Sequence, residues 1–180
     1  MPQLKVGEQM PDFSFCTPFE KDRTLRETAA RAPKTALLFL RYYGCTLCQY
    51  DIHQFKVHYD EITAAGGQML VVLQSDPERL AGQMTREDLP FDLICDPKGE
   101  LYQKFEIRPA ASMEELTDAK AVEKIAAAKA AGMTHGEYEG DELQLPASFV
   151  MDQDCRLLYA HYGKTAADLP DPAQLAALLS

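Results

Sequence analysis

Short apolar runs alternate along the chain with segments in which apolar residues recur every three or four positions, and turn-forming residues separate the two. Asp12 to Thr17 reads as a short strand, and Thr35 to Tyr42 as a buried strand closed by Gly44. From Cys45 to about Ala64, the residues Leu47, Ile52, Phe55, Tyr59 and Ile62 fall at near-helical spacing until Gly66-Gly67 stops the pattern. Met69 to Gln74 is another buried strand. In Ser75-Asp76-Pro77-Glu78 a capping side chain precedes a first-turn proline, so a helix is expected to about Arg86. Phe91 to Cys95 returns as a strand, Asp96-Pro97-Lys98-Gly99 as a turn, and Glu100 to Phe105 as a short helix. Ser112 and Glu115 have capping-box spacing and open an Ala-rich helix of about 20 residues that Gly132 terminates. Its narrow stripe of Met113, Leu116, Val122 and Ile125 marks it as a packing or covering element. Ala147 to Met151 and Leu157 to Tyr162 are strands around the turn Asp152-Gln153-Asp154-Cys155, and Pro172 to Leu179 is a closing helix.

Strands alternating with helices, followed by a hairpin and a helix, specify an α/β sandwich with a mixed central sheet. This is the general layout of a thioredoxin-like fold, with the Ala-rich helix as an insertion at about residues 110–142. One domain over residues 1–180 is expected, because 46% apolar residues in a chain of this length suit one core. The formal charge of −10 makes nucleic acid and anionic membrane surfaces unfavourable partners. No apolar run approaches the roughly 20 residues needed to span a bilayer, and Met1-Pro2-Gln3-Leu4-Lys5 lacks an apolar signal core. The expected location is cytoplasmic, and a monomer or a homodimer would suit the exposed sheet edge.

Five cysteines at irregular spacing are too few for the disulfide framework of a small secreted domain. Cys45 and Cys48 form a C-x-x-C within Arg41-Tyr42-Tyr43-Gly44-Cys45-Thr46-Leu47-Cys48, where a buried strand feeds a helix N-terminus. Unpaired backbone N–H groups and the positive end of the helix dipole stabilise a thiolate there, which makes Cys45 the candidate nucleophile. Cys48 follows one turn later on the same face, within disulfide reach, and is placed to resolve. Half of a zinc site and inert buried thiols are the alternatives; no second C-x-x-C exists, and His53 and His58 have the wrong spacing for a finger. Arg41 could lower the Cys45 pKa or pair with a surface carboxylate, and Tyr42 and Tyr43 could donate to a bound oxygen or simply pack. Pro146 opens a late strand, where a cis X-Pro bond in a thioredoxin-like layout would face the C-x-x-C and a trans bond would be purely structural. His53 reads as solvated, and His135 to Glu142 as an acidic, mobile, solvated connection. Cys16 and Cys95 end apolar strands as small buried hydrophobes, whereas Cys155, at a turn position usual for Gly, is expected to be exposed.

Val6-Gly7-x-x-Met10-Pro11-Asp12-Phe13, Phe39-Leu40-Arg41-Tyr42-x-Gly44-Cys45-x-x-Cys48 and Cys95-Asp96-Pro97-x-Gly99-Glu100-Leu101-Tyr102 resemble the peroxiredoxin-like AhpC/TSA family. Gln144-Leu145 and Leu158-Tyr159-Ala160-His161-Tyr162-x-Lys164-Thr165 are similar to the branch with an R-x-x-G-C-x-x-C motif, in which Gly44 and Thr46 also fall. The resemblance implies a thioredoxin fold in which Cys45 reduces hydroperoxides, Cys48 resolves, and an external dithiol such as thioredoxin supplies electrons. It implies no bound metal, flavin or nicotinamide. Two positions depart from the family: Tyr42 stands where Thr or Ser is usual, and Pro146 stands about where an Arg is usual. Oxyanion stabilisation then falls to Arg41, Tyr42 or backbone N–H groups. The segment Leu145 to Asp154 also resembles the proline-led strand of thioredoxin-like disulfide reductases, which makes reduction of a disulfide substrate the second reading. A non-catalytic redox-sensing module is the third.

Overall fold

The computed structural model describes residues 2–180. A two-stranded ribbon, β1 (Ser14–Phe15) and β2 (Arg23–Thr24), leads into α1 (Leu25–Ala29), whose N-terminus is capped by the Thr24 hydroxyl. β3 (Lys34–Phe39) then enters the main sheet and is followed by α2 (Thr46–Val57), α3 (Tyr59–Ala64) and β4 (Gly67–Leu73). Next come α4 (Pro77–Ala81), a 3-10 turn (Arg86–Asp88), β5 (Asp92–Cys95) and α5 (Glu100–Lys104). The chain continues through α6 (Met113–Leu116) and α7 (Ala119–Ala130) to the hairpin β6 (Ala147–Asp152) and β7 (Leu157–Tyr162), and ends in α8 (Pro172–Leu179).

The five main strands lie in the order β5-β4-β3-β6-β7, with β3, β4 and β5 parallel to one another and β6 antiparallel to both β3 and β7. Period-two alternation splits the core across this sheet. Ala36, Leu38, Val71, Leu73 and Val150 pack with Ile52, Phe55, Ile62, Leu175 and Leu179 on one face. Leu37, Phe39, Leu70, Val72, Phe149 and Met151 pack with Leu25, Tyr102 and Phe105 on the other. Phe39 is in register with Val72 on one side and Ala147 on the other. The residues after β3 therefore leave the sheet beside the residue that precedes β6, so the C-x-x-C and Pro146 share one end of the sheet.

Local structure departs from the sequence reading at several places. The helix expected from Cys45 to Ala64 breaks at His58, which re-aims α3 onto β4 and α8 and buries Ile62. The Ala-rich helix breaks at Thr117, because Asp118 starts a second cap in which its Oδ1 accepts from Ala121 N at 2.8 Å. Its expected stripe holds in half: Leu116 is buried and Ile125 packs partly buried on the core, whereas Met113 and Val122 are exposed and Ala121 and Ala128 complete the buried face. Small alanines let α7 approach α2 closely, and Gly132, with φ of 89°, ends the segment as expected. The first strand is two residues long and not six. Cys155 does occupy a left-handed turn position, with φ of 65°, yet its thiol is buried against Met10 and Leu157 in the second core layer, and the expectation of exposure fails. Among the described residues no helix is long and apolar enough to cross a membrane.

Candidate active site

The chain beyond β3 is held in the sheet for two more residues, by Leu40 N to Val72 O at 3.0 Å and by Gln74 N to Arg41 O at 2.7 Å. It then turns sharply, with Tyr43 N donating to Ser75 Oγ at 2.9 Å and Cys45 N to Tyr42 O at 3.2 Å. Cys45 is extended and forms the N-cap of α2, its Sγ accepting from Cys48 N at 3.3 Å. A sulfur in this position takes the place of the usual capping oxygen and faces the positive end of a twelve-residue helix. Thr46, the first residue of α2, is buried.

Arg41 closes the geometry. Its Nη2 donates to Cys45 Sγ at 2.9 Å, and its side chain is 12% exposed. The hydrogen bond from the Cys48 thiol lowers the Cys45 pKa most, burial opposes it, and the Arg41 charge lowers it further, to a net value of about 7. Cys48 moves the other way: its burial and the neighbouring Cys45 thiolate push it well above the ordinary thiol range. One turn of helix thus carries a thiol that ionises at neutral pH and a thiol that keeps its proton. Burial disfavours the charge on Arg41, but Cys45, Cys48 and Glu142 around it outweigh that cost and hold it protonated.

Residues 134–142 lie across this site; most of them are solvent-exposed, as expected of a solvated connection, but the segment is tied to the site by specific contacts. Arg41 Nη1 donates to the backbone oxygen of Glu142 at 2.8 Å and to its carboxylate at 3.1 Å. The Tyr42 hydroxyl donates to the other carboxylate oxygen at 2.5 Å and lies 3.0 Å from His135 Nε2, so it is committed to protein partners. The His135 ring stacks on Tyr138 with centroids 4.1 Å apart. Glu139 accepts from Asp76 N at 2.8 Å and pairs with Arg79 at 3.1 Å, and Glu137 pairs with the same guanidinium at 3.0 Å. Gln74 and Asp141 exchange side chain to backbone hydrogen bonds at 3.2 and 3.0 Å. Gly136 N donates to Gly44 O at 2.8 Å, and a Cβ on Gly44 would stand 2.5 Å from Glu137 O. Cys45 has no accessible surface under this cover. Sequence reasoning missed Glu142, Glu139 and His135; the available signal was a run of carboxylates in a chain whose Arg41 and Arg79 both needed partners.

Other expected residues fall out differently. The Leu145–Pro146 peptide is trans, the second of the two arrangements left open by the sequence. Pro146 borders a cavity of about 10 Å³ with Leu40, Leu47, Cys48 and Asp51, on the Cys48 side of the site. His53 is exposed on α2, as expected. Tyr43 is partly buried and packs on the core. Asp51, buried one turn after Cys48, pairs with Lys124 of α7 at 2.9 Å. Among the described residues no group of three His, Cys, Asp or Glu is arranged to hold a metal ion. A positively held thiolate, a partner thiol one turn away and a closed pocket are together suited to thiol redox chemistry.

Three solved structures share the architecture. Peroxidoxin BcpB from Mycobacterium tuberculosis is 13% identical, with a TM-score of 0.67 over 98% of this chain and 95% of that one. A peroxiredoxin-like protein from Aquifex aeolicus is 12% identical, with a TM-score of 0.63 over 99% and 88%. A putative thiol:disulfide interchange protein DsbE from Chlorobium tepidum is 18% identical, with a TM-score of 0.59 over 99% and 100%. At these identities the likeness is one of fold, and the fold is thioredoxin-like. No curated protein matches the sequence. The sequence profile of the AhpC/TSA family matches residues 6–160, and the chain belongs to that family.

Proposed function

We propose that this protein is a thiol-dependent antioxidant oxidoreductase that reduces hydroperoxides through Cys45. The observation that carries the reading is the Arg41 guanidinium 2.9 Å from a Cys45 sulfur that caps a helix under a closed cover. The Cys45 thiolate attacks the terminal peroxide oxygen, the O–O bond breaks, and the alkoxide takes a proton to leave as alcohol, or as water from hydrogen peroxide. Cys45 is then a sulfenic acid. Cys48 attacks its sulfur, hydroxide leaves as water with the Cys48 proton, and a Cys45–Cys48 disulfide remains. An external dithiol such as thioredoxin returns both cysteines to thiols and is itself oxidised to a disulfide.

Arg41 does the work that Thr or Ser and a second Arg do elsewhere in the family. Its Nη2 holds the thiolate, Nη1 is anchored on Glu142, and Nε is buried without a hydrogen-bond partner, a spare donor for the peroxide oxygen. The enclosure of Cys45 favours a small hydroperoxide over a protein disulfide, because a small molecule needs less of the cover to open. Cytoplasmic action suits a cycle that draws on a reducing dithiol.

Stopped-flow oxidation of the reduced protein by hydrogen peroxide and by an organic hydroperoxide, beside an insulin reduction assay, tests this. Cys45-dependent peroxide consumption well above the rate of a free thiol is expected. Slow peroxide reaction with brisk insulin reduction would replace this reading with thiol-disulfide exchange at the same two cysteines.

A further inference from the structure

A cavity of about 640 Å³ lies away from the Cys45 site, between the β1–β2 connection, α4 and the turn before α5. Its size is that of a small-molecule site. Two cysteines stand in its wall. Cys16, one residue beyond β1, forms an antiparallel bridge with Cys95, the last residue of β5. Cys95 N donates to Cys16 O at 3.0 Å, and the Cys16 thiol lies 3.7 Å from Cys95 O. Opposed residues of such a pair project to the same face with Cα atoms about 5.5 Å apart, inside the disulfide range of about 4.4–6.8 Å. The core layers agree: Cys16 and Cys95 pack in the layer on the α2 side, whereas their neighbours Phe15 and Ile94 pack in the other. Both thiols are free; Cys16 is partly exposed, and Cys95 is buried.

We propose that Cys16 and Cys95 are a second redox-active dithiol, oxidised at this cavity by small disulfides of the glutathione class. The partly exposed Cys16, as thiolate, attacks one sulfur of the small disulfide RSSR, so that a Cys16–S–S–R bond forms and RS⁻ leaves. Cys95 gives up its proton, attacks the Cys16 sulfur and expels the second RS⁻, closing Cys16–Cys95. The two protein thiols lose two electrons and two protons, which leave on two RSH.

The surroundings make this a slow and durable reaction. Burial pushes Cys95 up to about 12, with Cys16, Glu139 and Asp76 adding to the effect. Burial also raises Cys16, and nearby Asp96 adds to it. Few thiolates exist at neutral pH, so formation is slow; both thiols are also poor leaving groups, so exchange out of the disulfide is slow too. The bond ties the β1–β2 connection to β5, the edge strand of the sheet. It acts as a lasting covalent record of disulfide stress, separate from turnover at Cys45.

The test uses the full chain as a C45S/C48S variant, treated with glutathione disulfide, alkylated and mapped without reduction by mass spectrometry. A Cys16–Cys95 linked peptide is expected, two hydrogens lighter than the sum of its parts, forming about tenfold faster per pH unit below the thiol pKa. Oxidation should raise the thermal midpoint by about 10 °C, since it closes a long loop. Cys95→Ser should stop the reaction at one glutathione on Cys16, and Cys16→Ser should leave peroxide turnover of the otherwise unaltered protein unchanged. Wild-type protein mapped in the same way serves if C45S/C48S folds poorly. Glutathione on Cys16 with no Cys16–Cys95 link, or a link found only after unfolding in urea, would overturn the proposal and leave the Cys45 reading untouched.

Discussion

Cys45 and Cys48 lie three residues apart on one helix turn, whereas Cys16 and Cys95 meet across two strands from distant parts of the chain, and the same side chain behaves oppositely in the two places. At the first pair the hydrogen bond from the neighbouring Cys48 thiol, then the Arg41 guanidinium and the Cys48 backbone N–H at the helix start, bring Cys45 down to about 7 against the effect of burial. At the second there is no cation against the sulfurs of comparable effect, burial dominates, and carboxylates add to it, so Cys95 rises to about 12. Location alone separates a fast thiol from a slow one. The pairs also differ in access, since Cys45 is closed off by residues 134–142 while Cys16 opens on a cavity.

The largest way to break this contrast is to remove the reacting atom: Cys45→Ser should reduce peroxide turnover to the uncatalysed background, and full activity in that variant would end the assignment. Arg41→Met removes the charge 2.9 Å from the sulfur, so iodoacetamide should alkylate Cys45 about tenfold more slowly at pH 7. The pH profile fixes the sign. The thiolate is the reactive form, so the wild-type rate should be fully present above the lowered pKa and lost as pH falls through about 7; Arg41→Met should move that inflection upward. Glu142→Ala frees both Arg41 and Tyr42 from the cover, and a bulky maleimide should gain several-fold on iodoacetamide at Cys45, with no change at Cys16. The smallest effect belongs to the fifth cysteine. Cys155→Ser places a hydroxyl in an apolar layer and should cost about 1–2 kcal/mol in urea unfolding, with turnover intact.

Much of this was legible in the residues themselves. The order of strands and helices, the strand-to-helix junction at Gly44 and the cysteine spacing are local patterns, and each forms where periodicity and turn chemistry place it. The misses share a physical cause. Whether Asp118 continues a helix or caps a new one depends on what its side chain can reach, and it also accepts from Thr165 Oγ1 at 2.9 Å, far along the chain. Glu142 looks like a solvated acid until Arg41 and Tyr42, 101 and 100 residues away in sequence, are folded against it. Cys155 is recognisable as a left-handed turn residue, but it is buried in an apolar layer that includes Met10, which no local window contains.

The backbone contact between Gly44 and Gly136 carries a consequence for how this sequence can vary. A Cβ on Gly44 would meet Glu137 O at 2.5 Å, and one on Gly136 would meet the Gly44 Cα at 3.0 Å. The obstructing atoms are main chain on both sides, so no smaller neighbour can make room. A library randomised at both positions and selected for turnover should return glycine at residue 44 almost without exception and a strong excess of it at residue 136. The two positions behave as one heritable unit, though 92 residues separate them.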